Sequence, residues 1–96
     1  MTQFMVEINL GEFTEEFVAL IPAQRTYINQ LLENGTVLSY SLTEDRTKLW
    51  VIFVCKNKAT VIGYLGKFPI ANYIHYYIHP LLFHNSEVIM PGMSLN

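Results

Sequence analysis

The chain has 96 residues, 51% of them hydrophobic and 15% charged, and its formal net charge is −2. This length leaves room for one domain over residues 1–96 with a single core. The few Lys and Arg residues form no basic stripe, which excludes nucleic acid as a partner. The high apolar content predicts that part of the surface contacts another subunit or a ligand, so we expect an oligomer.

The cysteine count and the N-terminus predict a cytoplasmic protein. Cys55 is the only cysteine, which excludes an internal disulfide and fits a reducing compartment. The start, "MTQFMVEINLGEF", lacks the basic residues and long apolar block of a secretion signal. The longest apolar run, residues 49–55, is far shorter than the roughly 20 residues of a membrane helix. We therefore expect no membrane partner.

The first half of the chain predicts a strand followed by a helix. Apolar residues alternate with polar ones over 4–10, which is the period of a half-buried strand. Thr14 can cap a helix whose apolar spacing continues to about residue 34, and Gly35 can end it in a left-handed conformation. Pro22 lies inside this helix and is expected to kink or restart it, because it lacks an amide hydrogen.

The second half predicts a hairpin, a helix and a last strand. "TVLSYSLT" and "KLWVIFVC" are rich in β-branched and aromatic residues, and the polar turn "EDRT" joins them. Asn57 can cap a shorter helix that ends near Gly66. We expect Ala59, Ile62 and Leu65 on one side of that helix. The last strand is expected in "YIHYYIH", beginning at Tyr73.

The resulting order, β-α-β-β-α-β, predicts an α+β, ferredoxin-like fold with a four-stranded antiparallel sheet and both helices on one face. The strands carry large side chains on both faces, so something must cover the second face. Two sheets packed face to face would form a dimeric α+β barrel whose interior holds a small ligand. The apolar tail, residues 85–96, is expected to pack on a neighbouring subunit.

Several segments resemble one known family. "YINQLLENGTV", "KLWVIF" and "LGKFPIANYIHYYIHPL", with His84 after them, are similar to the muconolactone isomerase family of small dimeric α+β barrel proteins. The similarity covers most of residues 4–84. It implies a homodimer or larger ring and the cofactor-free isomerisation of a small unsaturated lactone by acid–base proton transfer. The family uses no metal or organic cofactor.

The chain departs from this family at positions where chemistry is expected. Gln24 and Arg25 stand where the first helix usually offers a charged Glu-Lys type pair. Ser39 and Tyr40 replace the Arg-His character of the second strand. In the last strand, the residues that correspond to acidic residues of the enzyme are His75, Tyr77 and His79.

The last strand supplies the candidates for catalysis. Alternation places Tyr73, His75, Tyr77 and His79 on one face, and the neighbouring first strand adds Glu7 to it. A carboxylate beside an imidazole in a partly dry cavity can transfer a proton. We therefore take Glu7 and His75 as a candidate base and acid. The alternative is a satisfied polar network across a subunit interface.

Candidates for ligand binding extend to the helix and the hairpin. Gln24 interrupts the apolar stripe of the first helix and is expected to point inward, where its amide binds either a ligand or the backbone. The full set of ligand-binding candidates is Gln24, Tyr40, Trp50, Tyr77, His79 and His84. Tyr40 and Trp50 are alternatively core or interface residues, His84 an ordinary exposed histidine and Arg25 a surface cation.

A metal site is not predicted. His75 and His79 have the spacing of a helical zinc pair, but on a strand they lie roughly 13 Å apart. Two functional hypotheses follow. The first is a muconolactone isomerase-like protein that binds a small organic acid or lactone in the barrel pocket and shuttles a proton. The second is a non-catalytic, oligomeric ligand-binding or structural protein of the same fold.

Overall fold

The computed structural model describes residues 1–85. The expected subunit-contacting tail lies outside the described residues apart from Asn85. The elements follow one another in the predicted order, with a short 3-10 turn before the last strand. Their bounds are β1 (Thr2–Leu10), α1 (Glu15–Glu33), β2 (Val37–Leu42), β3 (Lys48–Cys55), α2 (Lys58–Gly66), the turn Ala71–Tyr73 and β4 (Ile74–Pro80).

The four strands form one antiparallel sheet in the spatial order β2-β3-β1-β4. Together with the helices α1 and α2 this confirms the predicted α+β, ferredoxin-like fold. The central strands, β3 and β1, are bounded by two edge strands, β2 and β4. Assembly into a dimeric barrel stays a prediction. Among the described residues, no helix is both long and apolar enough to cross a membrane.

The sheet has two unlike faces. The helix face carries the core: Val6 and Ile8 of β1 and Val51 and Phe53 of β3 are fully buried there. The other side, which we call the open face, carries the alternate residues of the same strands. The residues of this face that are paired between strands are Gln3, Met5, Glu7 and Asn9 of β1, Ser39 and Ser41 of β2, Lys48, Trp50, Ile52 and Val54 of β3, and His75, Tyr77 and His79 of β4.

The ends of α1 are as predicted. The Thr14 hydroxyl accepts a hydrogen bond from the Phe17 amide at 3.2 Å, and Glu15 and Glu16 occupy the first turn. Negative side chains there interact favourably with the positive end of the helix dipole. Gly35 has a φ of 82°, the left-handed conformation that ends a helix. Pro22 does not restart the helix, because α1 runs unbroken from Glu15 to Glu33.

Two details differ from what the sequence pattern indicates. Of the three residues expected on one side of α2, Leu65 is buried together with Val61, whereas Ala59 and Ile62 are exposed. Residues four apart stay on one helical stripe, whereas a strict three-residue repeat drifts around the helix. The last strand also begins at Ile74, not at Tyr73. Tyr73 lies in the turn before it, and its ring packs edge-on against Phe17 at a centroid distance of 5.7 Å.

The orientation of α2 can be tested with two neighbouring alanine substitutions. Val61→Ala removes buried methyl groups and should lower the free energy of unfolding by about 2 kcal/mol. Ile62, which is 45% exposed, provides the matched control, and Ile62→Ala should change stability by less than ~0.5 kcal/mol. Urea unfolding followed by circular dichroism measures both. A larger loss for Ile62→Ala would contradict the orientation described.

Candidate functional site

The candidate residues fall into two groups on opposite sides of the sheet. Glu7 lies on the open face, opposite Trp50 of β3 on one side and Tyr77 of β4 on the other. Tyr40 pairs with Val51 and therefore belongs to the helix face. Gln24 is buried on the inner side of α1. The structure thus does not bring Gln24 and Tyr40 together with Trp50 and Tyr77.

A cavity of about 400 Å³ lies between α1 and the sheet. Most of its wall is apolar and includes Phe13, Phe17, Ile28 and Leu49. The polar residues that line it are Gln24, Arg25, Asn29 and Tyr40. The cavity therefore combines a hydrophobic wall with a small number of polar groups, which is the usual character of a small-molecule site. His84 follows β4 and does not line it.

Of the polar residues that line this cavity, Gln24 is the buried one, and only 4% of it is exposed. Its carbonyl oxygen, Oε1, accepts a hydrogen bond from the Ile70 amide at 3.4 Å. Its amide nitrogen, Nε2, is buried and has no hydrogen-bond partner among residues 1–85. The inward orientation expected from the sequence is confirmed, and one half of the amide does bind backbone. The other half lies at the cavity wall near the Tyr40 hydroxyl and makes no well-formed hydrogen bond.

Tyr40 brings a second polar group to the cavity. Desolvation of its hydroxyl raises the pKa of Tyr40 above the ordinary value, although the side-chain amide of Gln24, which lies near this hydroxyl, and the positive charge of Arg25 oppose the shift. The phenol therefore stays neutral at physiological pH and can donate a hydrogen bond. Arg25 is exposed and lines the same cavity. Gln24, Arg25 and Tyr40 thus present donors to one cavity.

On the open face, Glu7 has partners that the sequence did not indicate. Lys48 donates to Glu7 Oε2 at 2.9 Å and to Asn9 Oδ1 at 2.6 Å. His79 Nε2 lies 3.7 Å from Glu7 Oε1. The hydrogen bond from Lys48 is the main cause that lowers the pKa of Glu7, with His79 adding to it against partial desolvation. A carboxylate held in its charged form is a weaker base.

His75 is not the partner of Glu7. It lies opposite Asn9 in the register of β4 with β1, and no hydrogen bond or ion pair joins it to Glu7 within the described part of the chain. The imidazole next to Glu7 is that of His79. Proton transfer by Glu7 and His75 therefore stays a prediction, and no contact between these two residues supports it. Lys48 was missed, although its alternation with Trp50 along β3 places it on the same face.

The spacing of the histidines along β4 agrees with the expectation for a strand. His75 and His79 both lie within β4. In residues 1–85 there is no group of three or more His, Cys, Asp or Glu side chains that could hold a metal ion.

The burial of Tyr40 can be tested by alkaline titration of tyrosine absorbance. Burial raises the pKa values of Tyr27 and Tyr40, so both should ionise later than an ordinary phenol. In the unfolded chain these phenols lose their protons near pH 10, whereas in the folded protein they resist ionisation. The neutral phenols therefore contribute fully to stability below about pH 10, and this contribution is lost as the pH rises further. Tyr40→Phe should reduce the late absorbance change. An unchanged late phase in Tyr40→Phe would contradict the assignment.

No known protein family matches the chain, and no curated protein matches it. The resemblance to the muconolactone isomerase family therefore stays a hypothesis that rests on the sequence segments quoted above.

Proposed function

We propose that the protein binds a small, partly apolar organic acid or lactone in the cavity between α1 and the sheet, as a muconolactone isomerase-like protein. The observation that carries this proposal is the amide nitrogen of Gln24, which is buried at the cavity near the Tyr40 hydroxyl but makes no well-formed hydrogen bond within residues 1–85. An unsatisfied buried donor costs about 1–3 kcal/mol. A ligand oxygen placed against it would recover that cost on binding.

The polar groups of the cavity favour an oxygen-rich end of the ligand. The amide nitrogen of Gln24 and the guanidinium of Arg25 can only donate, and the neutral hydroxyl of Tyr40 can donate as well. Such a set fits a carbonyl or carboxylate, and Arg25 favours the charged one. The apolar wall fits the remainder of the molecule. A cavity of about 400 Å³ falls within the roughly 300–1,000 Å³ of small-molecule sites.

The chemistry of the cavity supports binding better than isomerisation. Its titratable lining residues within the described chain are Arg25 and Tyr40, and neither is a base at neutral pH. Gln24 cannot accept a proton as a base. Glu7 and His75 belong to the opposite face of the sheet, so a ligand in the cavity would not meet them. We therefore favour the non-catalytic hypothesis over cofactor-free proton transfer.

We further propose that the protein is a cytoplasmic homodimer joined through the open faces of two sheets. In a twofold contact each patch meets itself, so a net charge on the patch would repel its own copy. The open face meets this condition: its carboxylate, Glu7, is paired with its ammonium, Lys48, at 2.9 Å, and Trp50 and Ile52 lie next to them in β3. The buried thiol of Cys55 suits a reducing compartment.

The binding proposal predicts that Gln24→Leu weakens ligand binding without unfolding the protein. The substitution removes an unsatisfied donor together with one long hydrogen bond, so the free energy of unfolding should change by less than about 1 kcal/mol. Binding of benzoate, phenylacetate and an unsaturated five-membered lactone would be measured by calorimetry, and the best of these should bind at least ~10-fold more weakly.

Gln30→Leu is the matched control, because Gln30 lies on the same helix, is exposed and does not line the cavity. It should bind the same probes as the parent. Equal affinity of Gln24→Leu and the parent for a probe that binds would exclude Gln24 as the donor. A parent protein that binds none of these probes would count against the proposed ligand class.

The dimer proposal predicts that an added charge on the open face separates the subunits. Tyr77 is 59% exposed there, so Tyr77→Lys should fold normally and raise the dissociation constant at least ~10-fold, since facing like charges are costly. Ile62→Lys, on the exposed side of α2, should leave the dimer unchanged. Sedimentation equilibrium measures both, and a dimer of unaltered affinity in Tyr77→Lys would place the contact elsewhere.

A further inference from the structure

The open face carries two histidines and few groups to balance them. At its paired strand positions, β1 supplies Glu7, β3 supplies Lys48, β4 supplies His75 and His79, and β2 supplies the uncharged Ser39 and Ser41. The helices lie on the other side of the sheet. With neutral imidazoles, the charges of Glu7 and Lys48 cancel and these positions carry no net charge.

The one carboxylate at these positions, Glu7, already has a cation beside it. Glu7 is already hydrogen-bonded to Lys48 at 2.9 Å, and His79 lies 3.7 Å from its other oxygen. His75 faces Asn9 across the strands, but the Asn9 oxygen is occupied by Lys48 at 2.6 Å. Tyr77 stands between the two histidines along β4 and brings no carboxylate. A protonated His79 would pair with Glu7, but Glu7 would then serve two cations, so each proton on an imidazole still raises the net charge of the face by one.

We propose that the contact between two copies of the open face is acid-sensitive, with His75 and His79 as its proton acceptors. Histidine side chains generally gain their proton as pH falls from about 8 to 5. Protonation of both gives each open face a charge of +2, and a twofold contact brings the two like-charged faces together. The dimer therefore dissociates in mild acid. This inference rests on the proposed dimer and adds a regulation of it.

The test compares dimer affinity at two pH values in the full chain. Sedimentation equilibrium at pH 7.5 and pH 5.5 should show at least a ~10-fold rise in the dissociation constant of the parent on acidification. In the double variant His75→Gln with His79→Gln, most of this rise in the dissociation constant should disappear. His84→Gln alters the remaining histidine of the chain, which lies outside β4, and should show the same rise as the parent. Circular dichroism at both pH values establishes that each variant is folded.

A second variant imitates acidification at constant pH. Glu7→Gln leaves Lys48 without its counter-charge, so each open face carries +1 at pH 7.5. Its dimer should be weaker than that of the parent at pH 7.5. This comparison does not depend on the protein staying folded in acid, and it also separates charge from any loss of packing at the histidines.

The outcomes distinguish this inference from the dimer proposal itself. A parent dimer that is equally tight, or tighter, at pH 5.5 would overturn acid sensitivity and leave the dimer in place. If the dissociation constant of the double histidine variant still rises on acidification as it does in the parent, the assignment to His75 and His79 is overturned. A protein that is monomeric at pH 7.5 would overturn the dimer proposal and this inference with it.

Discussion

The structure depends on the alternation of side chains along β1, the strand that lies between β3 and β4. Val6 and Ile8 are fully buried against the helices, and Glu7 between them points to the other side. A slip of one residue would place Glu7 in the core and expose two apolar residues. Because β1 pairs with strands on both sides, its register also decides which residues of β3 and β4 share the open face. The same constraint therefore shapes both candidate surfaces.

This division gives the two faces different chemistry. The helix face encloses a cavity with an apolar wall, at which the amide nitrogen of Gln24 makes no well-formed hydrogen bond within residues 1–85. The open face holds its polar groups in pairs, with Glu7, Lys48 and Asn9 joined by hydrogen bonds. An unsatisfied donor is a measurable cost for so small a domain, which is why we connect the cavity with a ligand. Polar groups whose hydrogen bonds are already made within one chain can be covered by a second subunit without losing a partner.

Much of the fold was predictable because it depends on local signals. The element order, the Thr14 and Asn57 caps and the Gly35 stop follow from residue type and spacing. The composition of the sites was less predictable, because it depends on register. A bulge between Val37 and Ser39 shifts the alternation of β2 and turns Tyr40 to the helix face. Glu7 likewise meets Lys48 and His79 through pairing between strands, which the spacing of residues within one strand does not determine.

The most direct test of the account is to map a bound ligand by two-dimensional NMR, with benzoate titrated into isotope-labelled protein. The account predicts that the side-chain amide of Gln24 and the signals of Tyr40 shift with added ligand, while the indole signal of Trp50 stays in place. That result would put the ligand between α1 and the sheet. Shifts at Trp50 and His79 with Gln24 unmoved would put the ligand on the open face and contradict the account.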